Sequence, residues 1–239
     1  MKVFNAFFAC CLALWGAAAF ALQATPEPPL LDARAYALMD FHSGQFLAEK
    51  DADTPIEPAS LTKIMTVYVA LHEIKEGRLS LDDPVTVSEK AWRTGGSKMF
   101  IEVGKQVPVK DLLLGIIVQS GNDACVALAE HIAGSEEAFA ALMNQYAKAL
   151  GLKNTHFVNS TGLPHPDHHT TARDLAILTQ ALIREFPEEY KWFSIKKFTY
   201  NGITQYNRNK LLWRDPTVDG VKTGHTQSAG YCLVASAKR

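Results

Sequence analysis

The sequence lacks any strong charge imbalance: 24 Lys+Arg against 25 Asp+Glu leave a formal net charge of −1 and a pI near 6.7. Nucleic-acid binders usually carry a basic excess or stripe, so no nucleic-acid partner is expected. Cysteine is scarce. Of the four, Cys10 and Cys11 fall in an N-terminal apolar segment, and Cys125 and Cys232 sit in the apolar contexts "DACVAL" and "GYCLVA", which read as free buried thiols more readily than as a bridge. After that first segment there is no second long apolar run, so the mature protein reads as exported and soluble. No repeat or low-complexity tract is visible. There is also no HExxH, so His165, His168 and His169 in "HPDHH" read as a polar loop, with no metal site and no cofactor expected.

What is present is an ordinary globular composition, 47% hydrophobic and 21% charged. The chain opens with Lys2 and an apolar run from Phe7 to Leu22 that ends in the small-x-small site Ala19-Phe20-Ala21, the form of a secretory signal peptide over residues 1–21. Residues 22–34 are a proline-rich leader that reads as a linker. Residues 35–239 are expected to form the functional domain.

Within that domain, two alternating runs around His42-Ser43-Gly44 predict a β-hairpin. Leu61, Ile64, Met65, Tyr68, Leu71 and Ile74 keep a helical period that starts near Pro58 and Ser60 and stops at Gly77. Further helices are expected over residues 109–118, from a loop at Ser120–Asp123 to Gly134, from the N-cap Ser135 to Gly151, and in "TARDLAILTQALIREF". Asp123 reads as a helix cap, and Arg173 with Asp174 as a structural pair. From Trp192 onward the pattern turns extended, with a hairpin at Asn201-Gly202 and a strand at "GYCLVASA". Strands at both ends with helices between them predict an α/β (α+β) fold, with an antiparallel sheet from both chain ends and an inserted helical lobe.

"EPASLTKIM" places Ser60 three residues before Lys63. With eleven serines and sixteen lysines, about 0.7 such pairs are expected by chance, and "SIKK" at Ser194 and Lys197 supplies a second one. Helical phase separates the two: three residues apart share a face on a helix but oppose one another on a strand, which is where "SIKK" is expected. A serine hydroxyl needs a base within hydrogen-bond reach, and a lysine can serve if burial and a nearby cation lower its pKa. The Ser60–Lys63 pair therefore calls for a second cation. Ser120-Gly121-Asn122 and Lys222-Thr223-Gly224 each occur once, and all three motifs in this order by chance come to about a few per thousand. SxxK, a serine-x-asparagine element and KTG are the set shared by penicillin-binding proteins and class A β-lactamases.

On these motifs, and on "YALMDFHSGQFLAEKDAD", "GGSKMFIEVGKQVPVKDLLLGIIVQSGNDACVALAE", "THFVNSTGLPHPDHHTTARDLAIL", "YNRNKLLW" and "VDGVKTGHTQSAGYCLVASAKR", the chain resembles the low-molecular-mass penicillin-binding proteins that are serine-type D-alanyl-D-alanine carboxypeptidases. The resemblance covers essentially the whole mature chain and implies a β-lactamase/transpeptidase-like fold. It implies Ser60 as acylated nucleophile, Lys63 as general base and Ser120 as proton relay. It also implies Asn122 on the substrate amide, Lys222 as the second cation, and Thr223 on the terminal carboxylate. Backbone N–H groups of Ser60 and His225 would form the oxyanion hole. Arg208 reads equally as a structural residue or as a carboxylate-recognising one.

The implied partners are peptidoglycan stem peptides, with β-lactams as covalent inhibitors, in the periplasm. An endopeptidase of the same family, cutting cross-links, uses the same motifs and is separated only by substrate. A β-lactamase reading is disfavoured by the absence of any ExxxN after Ser120. A pure penicillin- or peptidoglycan-binding module has no need for a nucleophile with its base. Family members continue beyond the KTG strand with another strand and a helix, then usually a β-rich domain and an amphipathic membrane-surface helix. This sequence stops at Arg239, so an incomplete sheet is expected, and membrane contact only through a C-terminal anchor absent here.

Overall fold

The computed structural model describes residues 27–239; the expected signal peptide, with Cys10 and Cys11, lies outside the described residues. Residues 27–32 belong to an N-terminal unit and carry no helix or strand there, and Ala33–Arg239 form the second unit. This second unit begins with a hairpin, β1 (Tyr36–Met39) on β2 (Phe46–Lys50), in which Asp40 caps the turn by accepting from the Ser43 N–H at 2.8 Å. A 3₁₀ turn, Ala59–Thr62, follows and runs directly into α1 (Lys63–Lys75). Every α1 residue from Lys63 to Leu71 is buried. A helix apolar on all sides belongs in the centre of a domain.

The helical lobe surrounds α1. It contains α2 (Glu89–Arg93), α3 (Val109–Leu114), α4 (Asn122–Ala133) and α5 (Glu136–Ala149), with a short ladder of β3 (Pro84–Thr86) on β4 (Gln106–Pro108). Ser135 caps α5 as expected, accepting from the Ala138 N–H at 3.1 Å. Next comes α6 (Ala172–Glu185), capped by Thr171, which turns Leu175, Leu178 and Leu182 inward at helical spacing. Then α7 (Pro187–Tyr190) and a 3₁₀ turn, Lys191–Ser194, lead to the hairpin β5 (Lys197–Tyr200) on β6 (Ile203–Tyr206), closed by Asn201-Gly202. After α8 (Leu211–Arg214), β7 (Val218–Thr226) pairs antiparallel with β8 (Gly230–Ala237). Among the described residues no helix is long and apolar enough to cross a membrane. Cys125 and Cys232 are both free.

The mixed helix-and-strand class is as expected, but several details differ. In place of one sheet built from both ends there are, among the described residues, four separate two-stranded ladders, and β1–β2 shares no ladder with β7–β8. Each terminal hairpin is packed on different helical elements, β1 against α6 and β7 against the Ala59–Thr62 and Lys191–Ser194 turns. The helix expected over 109–118 is α3 followed by a π-type turn, Gly115–Gln119. Ser194 is not on a strand: it ends a 3₁₀ turn, and its hydroxyl donates to the Lys191 carbonyl at 2.7 Å, so the "SIKK" pair fails for a different reason than the expected opposite faces. Arg173 and Asp174 are structural but not paired with each other. Arg173 bridges to Asp53 and Glu49, while Asp174 accepts from the Asn154 N–H and the Thr155 hydroxyl.

Candidate active site

Ser60 lies in the 3₁₀ turn and Lys63 opens α1, so the two side chains emerge on one face a turn apart. Lys63 Nζ is 3.1 Å from Ser60 Oγ, 2.7 Å from Asn122 Oδ1 and 2.5 Å from the Thr161 carbonyl oxygen. The lysine is 1% exposed. Burial, with a smaller contribution from the Arg208 cation, holds its pKa below the ordinary lysine value. A neutral amine has two N–H bonds and one lone pair. Two carbonyl acceptors take the former, which leaves the lone pair for the Ser60 hydroxyl proton.

The second motif reaches the site through strained backbone. The π-type turn ends at Ser120, a non-glycine residue with φ of 65°, and Ala59 beside Ser60 has φ of 48°. Such conformations cost about 1–3 kcal/mol each and persist where the surroundings fix them. Gly115 is required here because a Cβ would fall 2.3 Å from Met99 Sδ. Asn122 begins α4 and donates through Nδ2 to the Gly95 carbonyl at 2.8 Å, while its Oδ1 accepts from Lys63. One amide N–H and one lone pair remain for a substrate.

Asp123, read from the sequence as a helix cap, does something larger. The N-cap position is Gly121. The Asp123 carboxylate, 1% exposed, accepts from its own neighbour Ala124 N–H at 2.9 Å and then crosses to the backbone N–H groups of Met99 at 2.8 Å, Phe100 at 2.9 Å and Ile101 at 3.3 Å. It thereby fixes the loop whose Gly95 and Ser97 carbonyls hold Asn122.

The third motif comes from β7. Lys222 is 3% exposed, and its Nζ donates to Ser120 Oγ at 2.9 Å. Burial first, then the Lys63 charge, hold its pKa well below the ordinary value. Among the charges that act on Lys63 the one that lowers its pKa is Arg208, whereas Lys222 is itself shifted away from the charged form and bonds Ser120. Gly224 explains why KTG ends in glycine: a Cβ there would fall 3.1 Å from the Pro58 carbonyl oxygen and 3.2 Å from the Ser60 nitrogen. The strand thus lies directly against the Ala59–Thr62 turn, with half-buried Thr223 and exposed His225 on either side. Arg208 is exposed, makes no ion pair among the described residues, and its charge lowers the pKa of both Lys63 and Lys222.

The sequence reading missed Thr161, whose contribution is a main-chain oxygen with no residue-type signature, and the crossing bonds of Asp123. Of "HPDHH", His168 is 2% exposed and held on both ring nitrogens, by Thr62 and by Val158, whereas His165 is exposed.

The D-alanyl-D-alanine carboxypeptidase family matches residues 22–239. The chain is 53% identical over 233 residues to D-alanyl-D-alanine carboxypeptidase DacC of Escherichia coli (strain K12), covering 95% of this chain and 58% of that protein. Penicillin binding protein 5 from Haemophilus influenzae superposes with a TM-score of 0.88 at 49% identity, over 90% of this chain and 64% of that one. Penicillin-Binding Protein D2 from Listeria monocytogenes, in its ampicillin-bound form, gives 0.81 at 32% identity, over 89% and 87%. The chain spans just over half the length of the curated relatives it matches. A family match that runs from residue 22 to residue 239 and takes in all three motifs leaves one assignment: this chain belongs to the D-alanyl-D-alanine carboxypeptidase family.

Proposed function

We propose that residues 35–239 are the catalytic domain of a periplasmic serine carboxypeptidase, exported by residues 1–21 and joined to them by the leader 22–34. It removes the terminal D-alanine from peptidoglycan stem pentapeptides. The observation that carries this reading is the buried Lys63 amine, which has two carbonyl acceptors and one serine oxygen as its neighbours. Neutral Lys63 takes the Ser60 proton as Oγ attacks the carbonyl carbon of the penultimate D-alanine. The oxyanion is held by the Ser60 and His225 N–H groups. Ser120, bonded to Lys222, relays the proton held by Lys63 to the departing amine of D-alanine, which restores neutral Lys63, and water then cleaves the Ser60 ester. Asn122 contacts the substrate amide, and Thr223 with Arg208 holds the terminal carboxylate. A β-lactam presents a reactive amide and a carboxylate in the same relation, so it acylates Ser60 and leaves slowly.

The test is release of D-alanine from a pentapeptide ending in D-Ala-D-Ala, run beside labelling by a fluorescent penicillin. Labelling without D-alanine release would make the protein a trap, and release only from cross-linked muropeptides would make it an endopeptidase. Rapid turnover of the penicillin would make it a β-lactamase. Arg208→Ala separates the carboxylate contact from the chemistry. Losing a charge-assisted bond raises KM for the peptide by about 10-fold. Removing that cation also lets the Lys63 pKa rise, so the limb on which rate increases with pH moves to higher pH. An unchanged KM and an unchanged limb would assign Arg208 to structure.

A further inference from the structure

We propose that His168 is a positioning residue of the acylation site: its neutral imidazole clips the 158–162 loop to the Ala59–Thr62 turn and so sets the Thr161 carbonyl against Lys63. The proposal rests on the reading that Ser60 is acylated with Lys63 as base.

The ring is held at both nitrogens. Nδ1 lies 3.1 Å from the Val158 N–H, a donor only, so Nδ1 must accept and carries no proton. The remaining proton is then on Nε2, which donates to Thr62 Oγ1 at 2.8 Å. Thr62 is fully buried and stands between Ser60 and Lys63 in the chain. One side chain therefore joins the nucleophile turn to the start of the loop that carries Thr161.

The loop is pressed onto that turn and onto the first turn of α1. Thr66 Oγ1 donates to the Ser160 carbonyl at 2.7 Å, and Lys63 Nζ to the Thr161 carbonyl at 2.5 Å. Asn159 Oδ1 gathers the Thr161 and Gly162 N–H groups at 3.2 and 2.7 Å. Gly162 has φ of 81°, and a Cβ there would fall 1.7 Å from the Ala59 carbonyl oxygen. A loop seated this closely has no slack, and displacement of a reacting group by about 1 Å can cost 10²-fold in rate. His168 is held from the far side by a two-residue bridge, in which His156 and His169 exchange backbone bonds of 2.9 and 3.0 Å.

The clip works only in the neutral state, because a proton on Nδ1 would face the Val158 N–H. Burial, followed by the charges of His156, His165 and His169 and of Lys63 on α1, lowers the His168 pKa to about 4. Its folded value thus lies below the unfolded one near 6.5. The neutral clip contributes fully above pH 6.5, and stability falls as the pH drops towards 4.

His168→Leu keeps an apolar body of similar size and removes both bonds, while His168→Gln can accept from Val158 and donate to Thr62. Penicillin acylation of the Leu variant is expected to fall about 10-fold or more at neutral pH, with faster hydrogen exchange over residues 156–162, and the Gln variant should restore both. The fall in unfolding midpoint between pH 6.5 and 4 should flatten in the Gln variant, which has no imidazole to protonate. Wild-type exchange over 156–162 in the Leu variant, or equal loss in Leu and Gln, overturns the clip. If the unmodified protein takes no penicillin, the acylation reading fails, and with it the positioning role.

Discussion

Replacing Lys63 by methionine is expected to lower the rate of penicillin acylation by about 10³-fold, within the range that general base catalysis supplies, while the protein still melts cooperatively. Methionine keeps the unbranched stem of a side chain that is 1% exposed, so packing is largely retained. Two oxygens, Asn122 Oδ1 and the Thr161 carbonyl, lose a donor. That loss is offset in part because a desolvated amine leaves the interior, and a buried ionisable group is costly to hold. Ser60→Ala should abolish labelling altogether, since no ester can form, and it leaves both of those acceptors on Lys63. In the unmodified protein the rate should rise with pH through a Lys63 pKa held below the ordinary lysine value, because only the neutral amine can accept the serine proton. Labelling of Lys63→Met within about 10-fold of the unmodified rate would remove Lys63 from the base role.

Asp123→Ala is expected to produce the largest loss of stability. The substitution strips an acceptor from the N–H groups of Met99, Phe100 and Ile101, of which Met99 and Ile101 are buried. Each buried donor left unpaired costs about 1–3 kcal/mol, so the two together cost on the order of 2–6 kcal/mol. For a domain whose total stability is about 5–15 kcal/mol, this corresponds to a fall in melting temperature on the order of 10 °C or more. Phe100, held at φ of 67° by the same carboxylate, is then free to relax. The loop would carry the Gly95 and Ser97 carbonyls away from Asn122, so acylation should fall as well. Asp123→Asn keeps one acceptor oxygen and should lie between the two. A melting temperature for Asp123→Ala within about 3 °C of the unmodified protein would show the three bonds to be dispensable.

Much of the fold is legible in local chemistry. Ser135 and Thr171 each bond a backbone N–H three residues ahead, so their helices start where a capping rule places them. Asn201-Gly202 closes its hairpin because both residues adopt positive φ. The same locality made Ser60 and Lys63 legible, since a one-turn offset on a helix brings two side chains together without reference to the rest of the chain. The registration of the terminal hairpins was not legible in this way. An alternating pattern states which face is buried but not which element covers it, and here α6 covers β1 while the Ala59–Thr62 turn meets β7.

The sequence by itself named the side chains that meet at the site: Ser60, Lys63, Ser120, Asn122 and Lys222. The tertiary structure alone decided what surrounds and buries Lys63. Thr161 is 98 residues from Lys63 and contributes a main-chain oxygen, a group every residue carries and none advertises. His168 reaches Thr62 across 106 residues, and Asp123 reaches Met99 across 24, through bonds to backbone or hydroxyl groups. Residue identity encodes donors and acceptors; burial and the distance between remote backbone segments come only from folding, and burial is the main cause that lowers the pKa of both Lys63 and Lys222.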